Sequence, residues 1–101
     1  MPDEQSRENR DSLRILLVKA LNKNQILILS SINNTQNENI TRILSRISSS
    51  HEIPLSTLKL NAKILKNLNL ITFGNNSYFQ SARLTDFGKF VFKIIGGDKT
   101  W

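Results

Sequence analysis

Between positions 53 and 71 the chain sets cationic and polar side chains at a spacing suited to a polyanion. On a helical wheel at about 100° per residue, Ser56, Lys59, Lys63 and Asn67 share one arc, with Lys66 at its flank. Leu58, Ala62, Leu65 and Leu68 fall in the opposite arc, which is expected to face inward. Upstream, Arg42 and Arg46 stand four residues apart on an outward face. Cations grouped in this way neutralise phosphates. A short helix with such a basic outer face, running directly into the β-prone Leu70-Ile71-Thr72-Phe73, is a fitting object to lay in a DNA major groove, anchored at its far end by a strand.

Other reactive residue types are sparse. His51 is the one histidine and there is no cysteine, so a turn-stabilising or solvent-facing imidazole is expected rather than a metal ligand. The acids Asp3, Glu4, Glu8, Asp11, Glu38, Glu52, Asp86 and Asp98 are scattered, and no pair is spaced to work as general acid and base. Gly96-Gly97 follows a helical stretch, where a phosphate-cradling loop would precede one. The expectation is a protein that is not an enzyme and carries neither metal nor cofactor.

The net charge of +6 is unevenly spread. Residues 1–11 hold four acids against two arginines, whereas residues 12–101 hold twelve bases against four acids, so the folding part is the more basic. Such a balance suits a nucleic-acid binder, though charge does not choose between DNA, RNA and an acidic protein. A hydrophobic content of 39% over 101 residues supports one domain and one core. The longest apolar runs, 15–18 and 26–29, are too short to span a bilayer, and the polar, acid-bearing start does not read as a leader. The expected location is the cytoplasm, away from membranes.

The elements that must position the basic arc follow from pattern. Residues 1–10 offer nothing apolar to tie them down and are expected to be a disordered tail. A helix is expected from Asp11 or Ser12, with Leu13, Leu16, Leu17, Ala20 and Leu21 on one face and Ile15 and Val18 off it. After Asn22-Lys23-Asn24 weakens that helix, 25–32 reads equally as a helix or a buried strand. A loop over 33–37 leads to a helix from about Asn39 to Ser50, with Ile40, Ile43, Leu44 and Ile47 inward. His51-Glu52 forms a turn, Ile53 returns to the core and Pro54 opens the next helix, with Ser56 or Thr57 capping or opening it. Strands over 70–73 and 78–84 flank Gly74-Asn75-Asn76-Ser77, whose residues tolerate tight turns. A last helix over 85–95 turns Leu84, Gly88, Val91 and Ile95 inward and carries Phe87, Phe90 and Ile94 as a second stripe. Gly96-Gly97 ends it, and 96–101 is a tail bearing Trp101.

Leu58-x3-Ala62-x2-Leu65-x2-Leu68-Asn69-Leu70-Ile71 resembles the recognition helix and first wing strand of winged helix-turn-helix proteins. It is similar in kind to MarR-, ArsR- and PadR-type regulators and small archaeal winged-helix proteins. Leu84-Thr85-Asp86-Phe87-Gly88-Lys89 resembles the Leu-Thr-acidic-x-Gly signature with which many such domains leave the wing. The resemblance covers roughly residues 24–95. It implies an α+β, mostly α fold: a winged helix-turn-helix with a two-stranded wing and extra N- and C-terminal helices over 11–95, and a helix at 25–32. It further implies a double-stranded DNA-binding transcriptional regulator, with 54–68 as recognition helix and 70–84 as wing. By position, Ser56, Thr57, Lys59, Leu60 and Lys63 would face base edges or flanking phosphates. Arg42 and Arg46 would reach the backbone, and Asn75, Asn76 and Arg83 the adjacent minor groove or its phosphates.

The chain departs from this pattern in three places, one of them the stripe of Phe87, Phe90 and Ile94 at positions usually polar in relatives. Glu52 stands where many relatives have Gly, and Leu60 sits mid-face where relatives carry a polar or basic residue, with Ile64 one turn on. A leucine packs on a thymine methyl, but a Leu–Ile pair also suits a protein partner. The alternative is therefore a winged-helix interaction module within a transcription or replication assembly. No small-molecule effector is evident. The surplus apolar residues Ile15, Val18, Phe87, Phe90 and Ile94 point to a homodimer.

Overall fold

The computed structural model describes residues 2–74 and 81–96, with side chains from Glu8 onward. Asn75, Asn76, Tyr78 and Trp101 lie outside the described residues. The fold is α+β and mostly helical: α1 (Pro2–Ala20), α2 (Lys23–Asn33), α3 (Ile40–His51), α4 (Leu55–Asn67), β1 (Ile71–Thr72), β2 (Arg83–Leu84) and α5 (Asp86–Ile94). No single helix among the described residues is long and apolar enough to cross a membrane.

The ambiguous stretch 25–32 is helical, and its start shows why. The Asn22 side-chain oxygen accepts from the Gln25 amide at 2.8 Å while Gln25 Oε1 accepts from the Asn22 amide at 3.0 Å. This reciprocal cap satisfies two helix-end donors at once. The helix then buries Ile28, Leu29 and Ile32, and sets Ile26 and Leu27 half-buried against the same core.

α1 begins at Pro2, well before the expected start at Asp11 or Ser12. Its early residues include Glu, Gln and Arg, good helix formers, which favours extension of the helix toward the N-terminus. α1 packs mainly on α5 and meets α2 at a bend of 110°. A single neighbouring helix buries only a narrow line: Leu13 and Leu17 are half-buried and Leu21 is buried. Leu16 and Ala20, expected on the inner face, are exposed.

α3 is capped by Asn39, whose side chain accepts from the Arg42 amide at 2.9 Å, and buries Ile43, Leu44 and Ile47. It stops at Glu52, which adopts left-handed φ 54° and ψ 45° in the turn where a glycine would be unstrained. The Ser48 hydroxyl donates to the Ile53 carbonyl at 2.6 Å and holds that turn.

At the start of α4, Pro54 occupies the cap position and no side chain caps the helix, so neither Ser56 nor Thr57 does so. Leu58, Ala62 and Leu65 are buried as the wheel indicates, but Leu68 is 51% exposed. The chain reverses first: Asn69 takes φ 64°, its amide donates to Lys66 O at 3.0 Å, and Leu70 N donates to Leu65 O at 3.0 Å. This left-handed ending swings buried Leu70 into the core in place of Leu68.

β1 and β2 pair antiparallel, with Ile71 opposite Leu84 and Thr72 opposite Arg83. Ile71 and Leu84 face the core while Thr72 and Arg83 face outward. The described strands are two residues each, shorter than the expected spans. Ala82 N donates to Glu38 O at 2.8 Å, tying the hairpin to the segment before α3.

Thr85 caps α5 by accepting from Gly88 N at 2.8 Å, and its hydroxyl donates to Asn69 O at 2.7 Å. Gly88 lies so close to β1 that an added Cβ would stand 1.9 Å from the Leu70 carbonyl oxygen. The Leu-Thr-x-x-Gly run is therefore a junction that locks α5 against the end of α4. α5 buries Val91, Phe92 and Ile94. Ile94, expected on the open stripe, is 7% exposed where α1 packs on α5, which reduces that stripe to Phe87 and Phe90.

Candidate nucleic-acid interface

α3 and α4 are joined by Glu52, Ile53 and Pro54 alone, and α4 is pinned on both flanks. On one flank Asn61 is buried, and its oxygen accepts from Asn22 Nδ2 at 3.0 Å and Gln25 Nε2 at 3.1 Å. Its own amide nitrogen donates to Thr57 O at 2.9 Å. A buried amide satisfied in this way fixes α4 against the start of α2, since leaving it unpaired would be costly. On the other flank, Lys66 Nζ donates to the Phe73 carbonyl at 3.0 Å and sits 4.4 Å from the Phe73 ring centroid. Lys66 thus braces the hairpin against α4.

Held in this setting, α4 presents Ser56, Lys59, Lys63 and Asn67 to solvent. Lys59, Lys63, Lys66 and Asn67 line one side of a groove of about 450 Å³, whose other wall is Ile40, Thr41 and Leu44 on α3 and whose end is Phe73. From Ile53 to Thr85 the chain has no acidic residue, so α4 and the described hairpin bring no carboxylate to Lys59 and Lys63. A groove lined on one side by cations and small polar groups suits an anionic ligand with repeated charges.

The other expected contacts are placed differently. Arg42 and Arg46 are exposed on α3, outside this groove. Arg46 forms an ion pair with Glu38, across the loop that precedes its helix. The hydrogen bond from Arg46 holds the Glu38 carboxyl below its ordinary range against a partial desolvation, and the Arg46 and Arg42 charges add to the effect. Arg83 lines a second groove of about 400 Å³, with Asn33, Asn37 and Lys89 between α2, β2 and α5. Thr57 is half-buried and serves Asn61 through its carbonyl. The structure therefore brings together Lys59, Lys63, Ser56 and Leu60 on one helix face, and sets Arg42, Arg46 and Arg83 on other surfaces.

Sequence reasoning missed the Asn22–Gln25–Asn61 cluster. Its signal was present: Asn61 falls on the wheel beside Leu65, at the edge of the inner stripe, where a polar residue needs a partner. Leu68 was also misplaced, and its exposure extends Leu60 and Ile64 into a line at i, i+4 and i+8. His51 is exposed at the end of α3, and no group of three His, Asp or Glu side chains among the described residues could hold a metal. Ile15, Leu16 and Val18 on α1 and Phe87 and Phe90 on α5 form further exposed apolar surface. No family model, curated protein or solved structure matches the chain.

Proposed function

We propose that this protein binds double-stranded DNA as a winged helix-turn-helix transcriptional regulator, working in the cytoplasm. In this reading α3, the three-residue turn and α4 are the helix-turn-helix, α4 lies in the major groove, and the β1–β2 hairpin is the wing. The observation that carries it is the acid-free outer face of α4, where Lys59 and Lys63 are exposed and flank a groove. Lys59 and Lys63 meet phosphates, Arg42 reaches the backbone from α3, and Arg46 first has to release Glu38. Exposed Ile15, Val18, Phe87 and Phe90 pair the protein with a second copy through α1 and α5.

The line of Leu60, Ile64 and Leu68 favours a second reading, a protein-interaction module that uses the same helix. Titrating labelled duplex DNA at two salt concentrations separates the two. DNA binding through phosphates gives an affinity that drops steeply as salt rises. No duplex binding at low salt transfers the function to the interaction module.

A further inference from the structure

Leu60 occupies the crest of α4. The inward side of this helix is set by Leu58, Ala62 and Leu65, all buried. At about 100° per residue, the opposite side falls between Asn67 and Leu60, with Ser56 close by. Lys63 and Lys59 slope away on one side of that crest and Ile64 on the other. α4 has little freedom to roll, because Asn61 is bonded to Asn22 and Gln25 on one flank while Lys66 is bonded to the Phe73 carbonyl on the other. Whatever the outer face of α4 is laid against therefore meets Leu60, which is 61% exposed, with Ile64 one turn further on.

The floor of the major groove carries one apolar group, the thymine 5-methyl. Against a G·C pair, Leu60 would strip water from N7, O6 and N4 without returning a hydrogen bond, which is unfavourable. Against thymine the same leucine buries a methyl. Resting on the DNA-binding reading above, we infer that Leu60 and Ile64 read thymine methyl groups, so that the preferred site places A·T pairs beneath the middle of α4. The flanking lysines supply affinity through phosphates, and the apolar crest supplies discrimination.

The test uses the intact chain to select its tightest duplex from a random-sequence pool, which is then resynthesised with deoxyuridine in place of thymidine. The exchange removes methyl groups and leaves phosphates and hydrogen-bonding edges in place. The wild-type affinity is expected to fall about fourfold for each contacted methyl, the weight of one buried carbon, with the salt dependence unchanged. Leu60→Ala, whose folding is verified by its melting curve, is expected to lose the part of this discrimination that Leu60 supplies, and Leu60→Ala combined with Ile64→Ala to bind both duplexes nearly equally. Equal wild-type affinity for the two duplexes, with a steep salt dependence intact, overturns the methyl reading alone and assigns Leu60, Ile64 and Leu68 to a protein partner. Failure to bind any duplex in the pool overturns the DNA reading as well.

Discussion

Gly88 is the residue with the least room for change, because the Leu70 carbonyl stands where its side chain would begin. Gly88→Ala must push β1 away from α5, and is expected to destabilise the fold by about 1–3 kcal/mol, read as a lower Tm. An unchanged Tm would mean that this junction is loose. Glu52 presents the opposite case, a side chain held in a left-handed turn. Glu52→Gly relieves a cost of about 1–2 kcal/mol, offset in part by glycine's greater freedom when unfolded, and is expected to raise Tm modestly. Glu38 ties charge to pH. Its carboxyl is held below the ordinary range by Arg46, so the pair's contribution is present above the unfolded pKa and is lost as pH falls through the lower, folded one. Carboxyl NMR is expected to show Glu38 titrating low, and Arg46→Gln to move it back toward the ordinary value. At this scale the sequence was partly legible. The Leu-Thr-x-x-Gly run was visible as a pattern, but the carbonyl that forbids a side chain at Gly88 comes from another element and leaves no local trace.

Among the elements, α4 shows what a wheel can and cannot reveal. Leu58, Ala62 and Leu65 were readable as an inner stripe because burial follows the helical period. Leu68 was misread because the stripe outlasts the helix: Asn69 reverses the chain and Leu70 takes the inward place. Asn61 went unread because its partners, Asn22 and Gln25, lie at the start of α2, nearly forty residues away in sequence. The same amide is what fixes the rotation of α4, so its removal should be felt across the fold. Asn61→Ala leaves the Gln25 amide unpaired beside the core, and is expected to cost about 1–3 kcal/mol, measured by urea denaturation. A loss within error of zero would show that α4 is oriented by its apolar stripe alone. For α1, the run before Asp11 reads as a tail because it is almost wholly polar, yet a helix already nucleated downstream extends through good helix formers at little cost.

The whole molecule is elongated, with extents of 49 × 26 × 24 Å, because α1 rests mainly on α5 rather than across the core. That arrangement leaves Ile15, Leu16 and Val18 exposed on α1 and Phe87 and Phe90 exposed on α5, and monomers seldom keep large apolar patches open. Sedimentation of the intact chain is expected to give a dimer, and Phe90→Glu to shift it toward monomer. A dimer that persists in Phe90→Glu would place the contact on Ile15 and Val18 instead. A two-fold pair would present both α4 helices to half-sites about one helical turn apart or a multiple of it. All of this depends on α4 meeting phosphates, and one comparison tests that most directly. Duplex affinity is measured across a series of salt concentrations for the wild type and for Lys59→Ala combined with Lys63→Ala. Both lysines are exposed, so the variant is expected to melt like the wild type. Its plot of log affinity against log salt should be shallower by up to about 0.9 for each lost contact, with weaker binding at low salt. A folded variant whose affinity and slope both equal those of the wild type would contradict the account.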